Sequence, residues 1–264
     1  MPEATLRLVH ITDTHISADP NYGRDAQHGS PAVVAQALVN AVNALPFQPD
    51  FILHTGDVAF DPDEASYQLA ADIFRPLKAP VYYLPGNHDS GEMLQRIVIG
   101  REPVFPCDDE FEVNGVQIVT VDSNQPFEMD QPNSRIADAQ IERLNRIAAS
   151  NDPRPLLVAT HHNVLPIGAP WWDRYMRMQN GEEFHMALLP ARERLLSVLH
   201  GHVHMNVQIT RDGITYISGQ SPWFTLHCAP DQQETEFDTQ ALPGFNVISI
   251  VGRQMYIRQH TFTL

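Results

Sequence analysis

At 264 residues and 43% hydrophobic content the chain can bury a large core, and residues 1–264 are read as a single domain. Seventeen Lys plus Arg against 32 Asp plus Glu give a formal charge of −15, which disfavours a nucleic acid polymer or an anionic membrane as partner. Two cysteines, Cys107 and Cys228, are too few for a disulfide framework and are expected to be buried thiols. The start, Met1 to Leu8, lacks the basic and apolar regions of a secretory signal, and no apolar run approaches the ~20 residues of a membrane helix. A cytoplasmic location is therefore expected, and a homo-oligomer is left open.

Residues 6–12 (LRLVHIT) are β-rich and stop at Asp13-Thr14-His15. Ser30-Pro31 opens a helix, with Val34, Leu38, Val42 and Leu45 at helical spacing to about 45. Phe51-Ile52-Leu53 begins a strand that ends at Gly56-Asp57, and 64–78 is moderately helical. Val81 to Leu84 is a buried strand that runs into Pro85-Gly86-Asn87-His88-Asp89, with a short helix expected over 91–99. Residues 116–123 form a strand, 138–150 a helix with Ile141, Leu144 and Ile147 on one face, and 156–160 a strand entering His161-His162. The stretch 163–180, with Pro166, Gly168, Pro170 and Trp171-Trp172, reads as a long functional loop before a helix over 181–189. Residues 195–199 form a strand ending in His200-Gly201-His202-Val203-His204, and from about 206 the chain is β-rich, with strands near 207–210, 214–218, 245–251 and 255–262. This βα alternation points to an α/β fold.

Five strand exits thus carry Asp13 and His15, Asp57, Asn87 and His88, His161, and His202 and His204. Mixed carboxylate and imidazole donors suit divalent transition metals, whereas calcium would want oxygen throughout. The i, i+2 spacing of Asp13/His15 and His202/His204 lets each pair point to one side of an extended segment. Seven donors suffice for two metals if Asp57 bridges, leaving positions open for water and substrate.

The ordered set Asp13-x-His15, Gly56-Asp57, Gly86-Asn87-His88-Asp89, His161 and Gly201-His202-x-His204 resembles the calcineurin-like metallophosphoesterases. Within that superfamily it is most similar to the class III cyclic-nucleotide phosphodiesterases and bacterial glycerophosphodiesterases, a likeness that also covers Ile11-Thr12, Asn180-Gly181-Glu182 and Pro243-Gly244-Phe245. The resemblance implies a four-layer αββα sandwich of two mixed β-sheets flanked by helices, with a dimetal centre at the loop edge. It implies one metal on Asp13, His15 and His204, a second on Asn87, His161 and His202, and Asp57 between them. The metals would be Fe, Mn, Zn or Co. A metal-bridging hydroxide would attack phosphorus while His88 protonates the leaving oxygen, with Asn87, His88 and His204 also touching the phosphate.

The implied activity is hydrolysis of small phosphodiesters, 3′,5′-cyclic AMP foremost, with glycerophosphodiesters as the alternative substrate and a catalytically silent metal-binding scaffold as the alternative from outside enzymology. His161 is preferred to His162 because Leu165-Pro166-x-Gly168 matches the family, although the histidine pair is followed by Asn163 rather than proline. Some members carry a carboxylate three residues after the bridging aspartate; here the nearest is Asp61, four after Asp57, and it is given no role. His10, His54 and His200 are expected to pack or hydrogen-bond within the sheets, and Asn180 to cap the helix after it. Trp171-Trp172 either stack on a base or plug a core edge.

Overall fold

The computed structural model describes residues 6–23, 26–124 and 134–264. In chain order it forms β1 (Leu6–Ile11), α1 (Pro31–Asn43), β2 (Phe51–His54), α2 (Glu64–Phe74), β3 (Val81–Tyr83), α3 (Gly91–Met93) continued by a π-helical turn (Leu94–Ile99), β4 (Glu110–Val113) and β5 (Val116–Thr120). There follow α4 (Asp138–Ala148), β6 (Leu156–Ala159), α5 (Pro170–Tyr175), α6 (Gly181–Leu188), β7 (Leu195–His200), β8 (Gln208–Arg211), β9 (Ile214–Ser218), β10 (Gly244–Val251) and β11 (Gln254–Thr261).

The strands make two sheets, in the orders β11-β10-β1-β2-β3 and β4-β5-β6-β7-β9-β8. Both are mixed. β1, β2 and β3 run parallel in the first, as do β5, β6, β7 and β9 in the second, while β10, β11, β4 and β8 pair antiparallel. The alternation of strand side chains divides the core into layers. Leu6, Leu8, Phe51 and Leu53 face Ile118, Leu157 and Leu199 between the sheets. Val9, Ile11 and Ile52 pack outward on Leu38 and Val42 of α1 and on Tyr67 and Phe74 of α2. On the other outer face Val158 and Val198 meet Leu144 of α4 and Phe184 of α6. The result is the expected αββα sandwich.

Local differences from the sequence reading have identifiable causes. The strand β4 was not expected, yet Asn114 (φ 49°) and Gly115 (φ 79°) form the Asn-Gly turn that pairs it with β5. The stretch 163–180 is not wholly a loop: Pro170 starts the short helix α5. Asn180 precedes α6 but does not cap it; its amide instead bonds the backbone of Ile136 on both sides, Oδ1 accepting at 3.2 Å and Nδ2 donating at 3.0 Å. Cys107 is buried as expected, but Cys228 is exposed. No helix among the described residues is long and apolar enough to cross a membrane.

Parallel pairing places the carboxyl ends of β1, β2 and β3, and those of β6, β7 and β9, on one edge of their sheets. Cross-links between the exits then draw the two edges together. Asp13 N donates to Gly56 O (2.9 Å), His15 N to Asp57 O (3.0 Å) and Gly201 N to His161 O (3.0 Å), while His202 N donates to the Asp13 carboxylate at 3.0 and 3.1 Å.

Candidate metal centre

All seven donors expected from the sequence, with His88 beside them, come together at this edge, and all seven are buried. The backbone that presents them is strained. Asp13, His15, Asp57, His202 and His204 have φ between 47° and 71°, the left-handed region that non-glycine residues seldom occupy, and five such residues at one edge are the kind of cost a functional site retains.

Two donor clusters are resolved. In one, ligand atoms of Asp13, His15, Asp57 and His204 lie within 4.8 Å of one another. His15 Nε2 is 3.0 Å from His204 Nε2, His204 Nε2 is 3.4 Å from Asp13 Oδ1, and His15 Nε2 is 3.6 Å from Asp57 Oδ2. In the other, His161 Nε2 lies 3.1 Å from Asn87 Oδ1 and 3.5 Å from Asp57 Oδ2, and His161, His162 and His202 also gather within 4.8 Å.

Outer partners fix which imidazole nitrogen faces inward. His161 Nδ1 donates to Thr55 O at 2.7 Å and His204 Nδ1 to Phe224 O at 3.3 Å, so that in each ring Nε2 keeps its lone pair. His162 is anchored differently, with Nδ1 on Ser123 Oγ at 2.8 Å. His202 Nε2 is buried and has no hydrogen-bond partner among the described residues.

The electrostatics suit a cation. Burial, then the neighbouring His204, holds His15 well below its usual range. Burial holds His202 well below that range too, lowers His161 against the opposing charge of Asp57, and pulls His204 down to about 3. Burial, then the charge of Asp57, raises the Asp13 carboxyl well above the ordinary value. Neutral imidazoles are electron-pair donors, and two buried carboxylates that repel one another are relieved by a positive ion between them. The orphaned Nε2 of His202, the inward lone pairs and the mixed N/O set therefore fit a divalent transition metal.

Asp89, quoted in the sequence motif without a role, clamps the exits. Its Oδ2 accepts from Val58 N (3.0 Å) and Gly86 N (2.9 Å), and its Oδ1 from Ala59 N (3.1 Å) and Tyr67 Oη (2.9 Å). Burial and the charge of Asp57 push it up to about 6, against four donors that favour the ionised form. His88 Nδ1 donates to Phe60 O at 3.1 Å. A backbone carbonyl thus orients His88, and Asp61 is exposed.

The sequence reading missed one exit. After β9 the chain passes through Ser221, whose Oγ donates to Asp13 O at 2.7 Å, to Trp223 and Phe224, whose rings lie 6.1 and 6.0 Å from that of His15. A strand-like run stopping at Gly219 was the available signal. Trp171 and Trp172 plug a core: they are buried, meet edge to face at 5.1 Å, and Trp172 Nε1 donates to Asn163 Oδ1 at 3.2 Å. His10, His54 and His200 are buried in the sheets, His10 on Thr55 Oγ1 and His54 on Thr14 Oγ1.

Residues 6–206 match the family model of calcineurin-like phosphoesterases. The chain is 27% identical over 95% of its length to the 3′,5′-cyclic adenosine monophosphate phosphodiesterase CpdA of Vibrio vulnificus, covering 87% of that protein. To the CpdA of Escherichia coli strain K12 it is 30% identical over 94% of its length, covering 86% of the relative. In fold it is similar to a dimetal phosphatase from Danio rerio, with a TM-score of 0.67 at 15% identity and coverage of 99% of this chain and 100% of that one. It is also similar in fold to GAP50, the anchor in the inner membrane complex of Plasmodium, with a TM-score of 0.60 at 13% identity over 98% of this chain and 89% of that one. The fold is thus shared by an enzyme and an anchor, and the family model, spanning the donor-bearing exits from Asp13 to His204, identifies the chain as a member of the calcineurin-like phosphoesterases.

Proposed function

We propose that the chain is a dimetal phosphodiesterase acting on small phosphodiesters, with 3′,5′-cyclic AMP as the leading substrate. The observation that carries the dimetal part is the position of Asp57 Oδ2, 3.6 Å from His15 Nε2 in one cluster and 3.5 Å from His161 Nε2 in the other. A single carboxylate oxygen common to two donor sets is what a bridging ligand requires. Asp13, His15 and His204 would hold one ion, Asn87, His161 and His202 the second, with Asp57 shared. Divalent Fe, Mn, Zn or Co bound there would supply Lewis acidity toward the phosphoryl oxygens and an acidified water.

The chain's own residues then orient and protonate. Asn87 and His204 border the phosphate position, and His88 gives a proton to the departing ester oxygen. With Nδ1–H held by Phe60 O, Nε2 is the nitrogen that releases it. The CpdA relatives at 27–30% identity support cyclic AMP as substrate. The acidic composition, −15 overall, supports a small ester over a polymer backbone.

The test is a substrate panel on metal-defined protein: cyclic AMP, cyclic GMP, a glycerophosphodiester and an aryl phosphodiester. Cyclic AMP should exceed the glycerophosphodiester at least tenfold in kcat/KM, about 1.4 kcal/mol in transition-state binding. The opposite ranking would make the chain a glycerophosphodiesterase, and no turnover of any diester by protein with metal bound would make it a scaffold.

A further inference from the structure

Beside the donor clusters stands an aromatic wall that chemistry at phosphorus does not use. The Phe60 ring lies 4.9 Å from His88 and 4.3 Å from Tyr22; Tyr22 lies 5.2 Å from Trp223; Trp223 lies 5.0 Å from Phe224, whose ring is tilted at 4.2 Å from that of His204. Three separate segments contribute: the turn after β1, the exit of β2 and the exit of β9.

Within the wall the rings have different surroundings. Trp223 is buried and braced, its Nε1 donating to Gly29 O at 3.1 Å, and a Cβ placed on Gly23 would meet its ring at 2.7 Å, so the Tyr22-Gly23 turn is seated directly upon it. Tyr22, Phe60 and Phe224 are only partly buried. These three residues are thus the part of the wall that is not fully buried, next to the histidines that border the phosphate position. Phe224 also packs against the core that holds Trp171 and Trp172, and its ring lies 5.5 Å from that of Phe237, so part of its surface is already covered. Trp171 and Trp172, by contrast, are sealed in a core with Val203 and Met205 and offer a ligand nothing.

We propose that Tyr22, Phe60 and Phe224 form the subsite that receives the planar ring of a nucleoside-derived phosphodiester. The proposal rests on the phosphodiesterase reading and names its substrate class. Apart from the Tyr22 hydroxyl the wall offers no side-chain hydrogen-bonding group, so it recognises a π-face rather than a base edge. Stacking of this kind tolerates any base. The subsite should therefore favour nucleotides over ring-free esters while separating adenine from guanine only weakly.

The test uses the metal-loaded full chain, Phe224→Leu and Tyr22→Leu singly and together, and calorimetric binding of AMP and of ribose 5-phosphate. Turnover of cyclic AMP and of a glycerophosphodiester is measured in parallel. Leucine keeps apolar bulk, and the Phe224 carbonyl that holds His204 is unaffected; thermal unfolding and metal content verify that each variant is intact. The unaltered protein should bind AMP at least about tenfold more tightly than ribose 5-phosphate, and the double variant should lose that preference, as expected for one stacked base. The kcat/KM ratio of cyclic AMP to glycerophosphodiester should fall by a similar factor, carried by KM. Equal affinity for the two phosphates in the unaltered protein, or variants that weaken both alike, would overturn the subsite. AMP preference lost in the variants of a protein that hydrolyses no diester would support the subsite while overturning the phosphodiesterase reading. Diester hydrolysis without AMP preference would do the reverse.

Discussion

The backbone N–H of His88 donates to Oδ1 of Asp57 at 2.9 Å, so the candidate proton donor is fixed to the carboxylate that stands between the two donor clusters. The bond occupies Oδ1 and leaves Oδ2 toward His15 and His161. Replacing Asp57 with Ala should then weaken both sites together. Metal analysis should fall from two ions per chain to less than one, and activity on every diester should drop by more than about 100-fold, the upper range for loss of a mere outer partner. Two ions retained per chain would rule out the bridge.

His161 and His162 are neighbours in one cluster, yet their outer bonds separate them. His161 has Nδ1 on a backbone carbonyl and Nε2 toward Asn87 and Asp57, whereas His162 has Nδ1 on a serine hydroxyl. His161→Ala should lose one ion per chain. His162→Ala should keep two, with affinity about 10- to 100-fold lower, as for an outer partner. The reverse order would transfer the ligand role to His162.

The donors were legible because each follows a strand whose apolar run is readable, and because Asp-x-His and His-x-His keep their pattern whatever the fold around them. What holds the donors was not. Asp89 reaches across to Val58 and Ala59, and Ser221 to Asp13, over sequence separations that no local pattern encodes. The aromatic wall was missed for the same reason, since Phe224 joins Tyr22 and Phe60, through Trp223, only once both sheets are assembled. Trp171-Trp172, conspicuous in sequence, take the core-plugging role, one of the two readings their pairing allowed. The β4–β5 hairpin is a different case: Asn114-Gly115 announced it, and the short, charged Glu110–Val113 run concealed it.

Gly86 tests close packing apart from backbone conformation. Its φ is not in the left-handed region, but a Cβ there would collide with the Asp57 carboxylate and backbone nitrogen and stand 2.7 Å from His161 Cε1. Gly86→Ala should therefore cost activity by at least about 100-fold and displace metal, because both contacts are to the shared edge. Gly100 is the counterpart: φ is +71° and nothing lies within 4 Å of its Cβ position. Gly100→Ala should cost about 1 kcal/mol in stability through strain alone. A metal content unchanged in Gly86→Ala would show that the edge can yield.

Acid should destabilise the fold through histidines outside the donor set. Burial holds His10 and His54 down to about 3 and His200 to about 4, whereas the unfolded chain protonates them near 6.5. The unfolded state then binds more protons, so their contribution is intact above about 6.5 and is lost as pH falls toward 3–4, at about 1.4 kcal/mol per histidine per pH unit. Asp89 and Asp122, pushed up to about 6 by burial, act oppositely between about 4 and 6. Three histidines outnumber two carboxylates and begin to titrate first, so Tm should fall from pH 7 downward. His54→Gln should flatten that slope by about one proton; a Tm independent of pH between 7 and 5 would contradict the assignment.

The sharpest test of mechanism is His88→Ala, because a general acid matters only as far as the leaving oxygen needs a proton. The side chain contributes to neither donor cluster, so both ions should remain bound. With an alcohol leaving group, the ribose hydroxyl of a cyclic nucleotide or the alcohol of a glycerophosphodiester, the loss should be on the order of 10²- to 10⁴-fold. An aryl diester should lose far less, since phenolate departs readily without protonation, and the ratio of the two losses gives the free energy of proton transfer. The Phe60 carbonyl that holds Nδ1 remains in the variant and would accept from a replacement donor, so added imidazole should restore part of the activity on the alcohol ester alone. Equal losses on both substrates, with no rescue, would mean that His88 positions the phosphate and leaves the proton to another group.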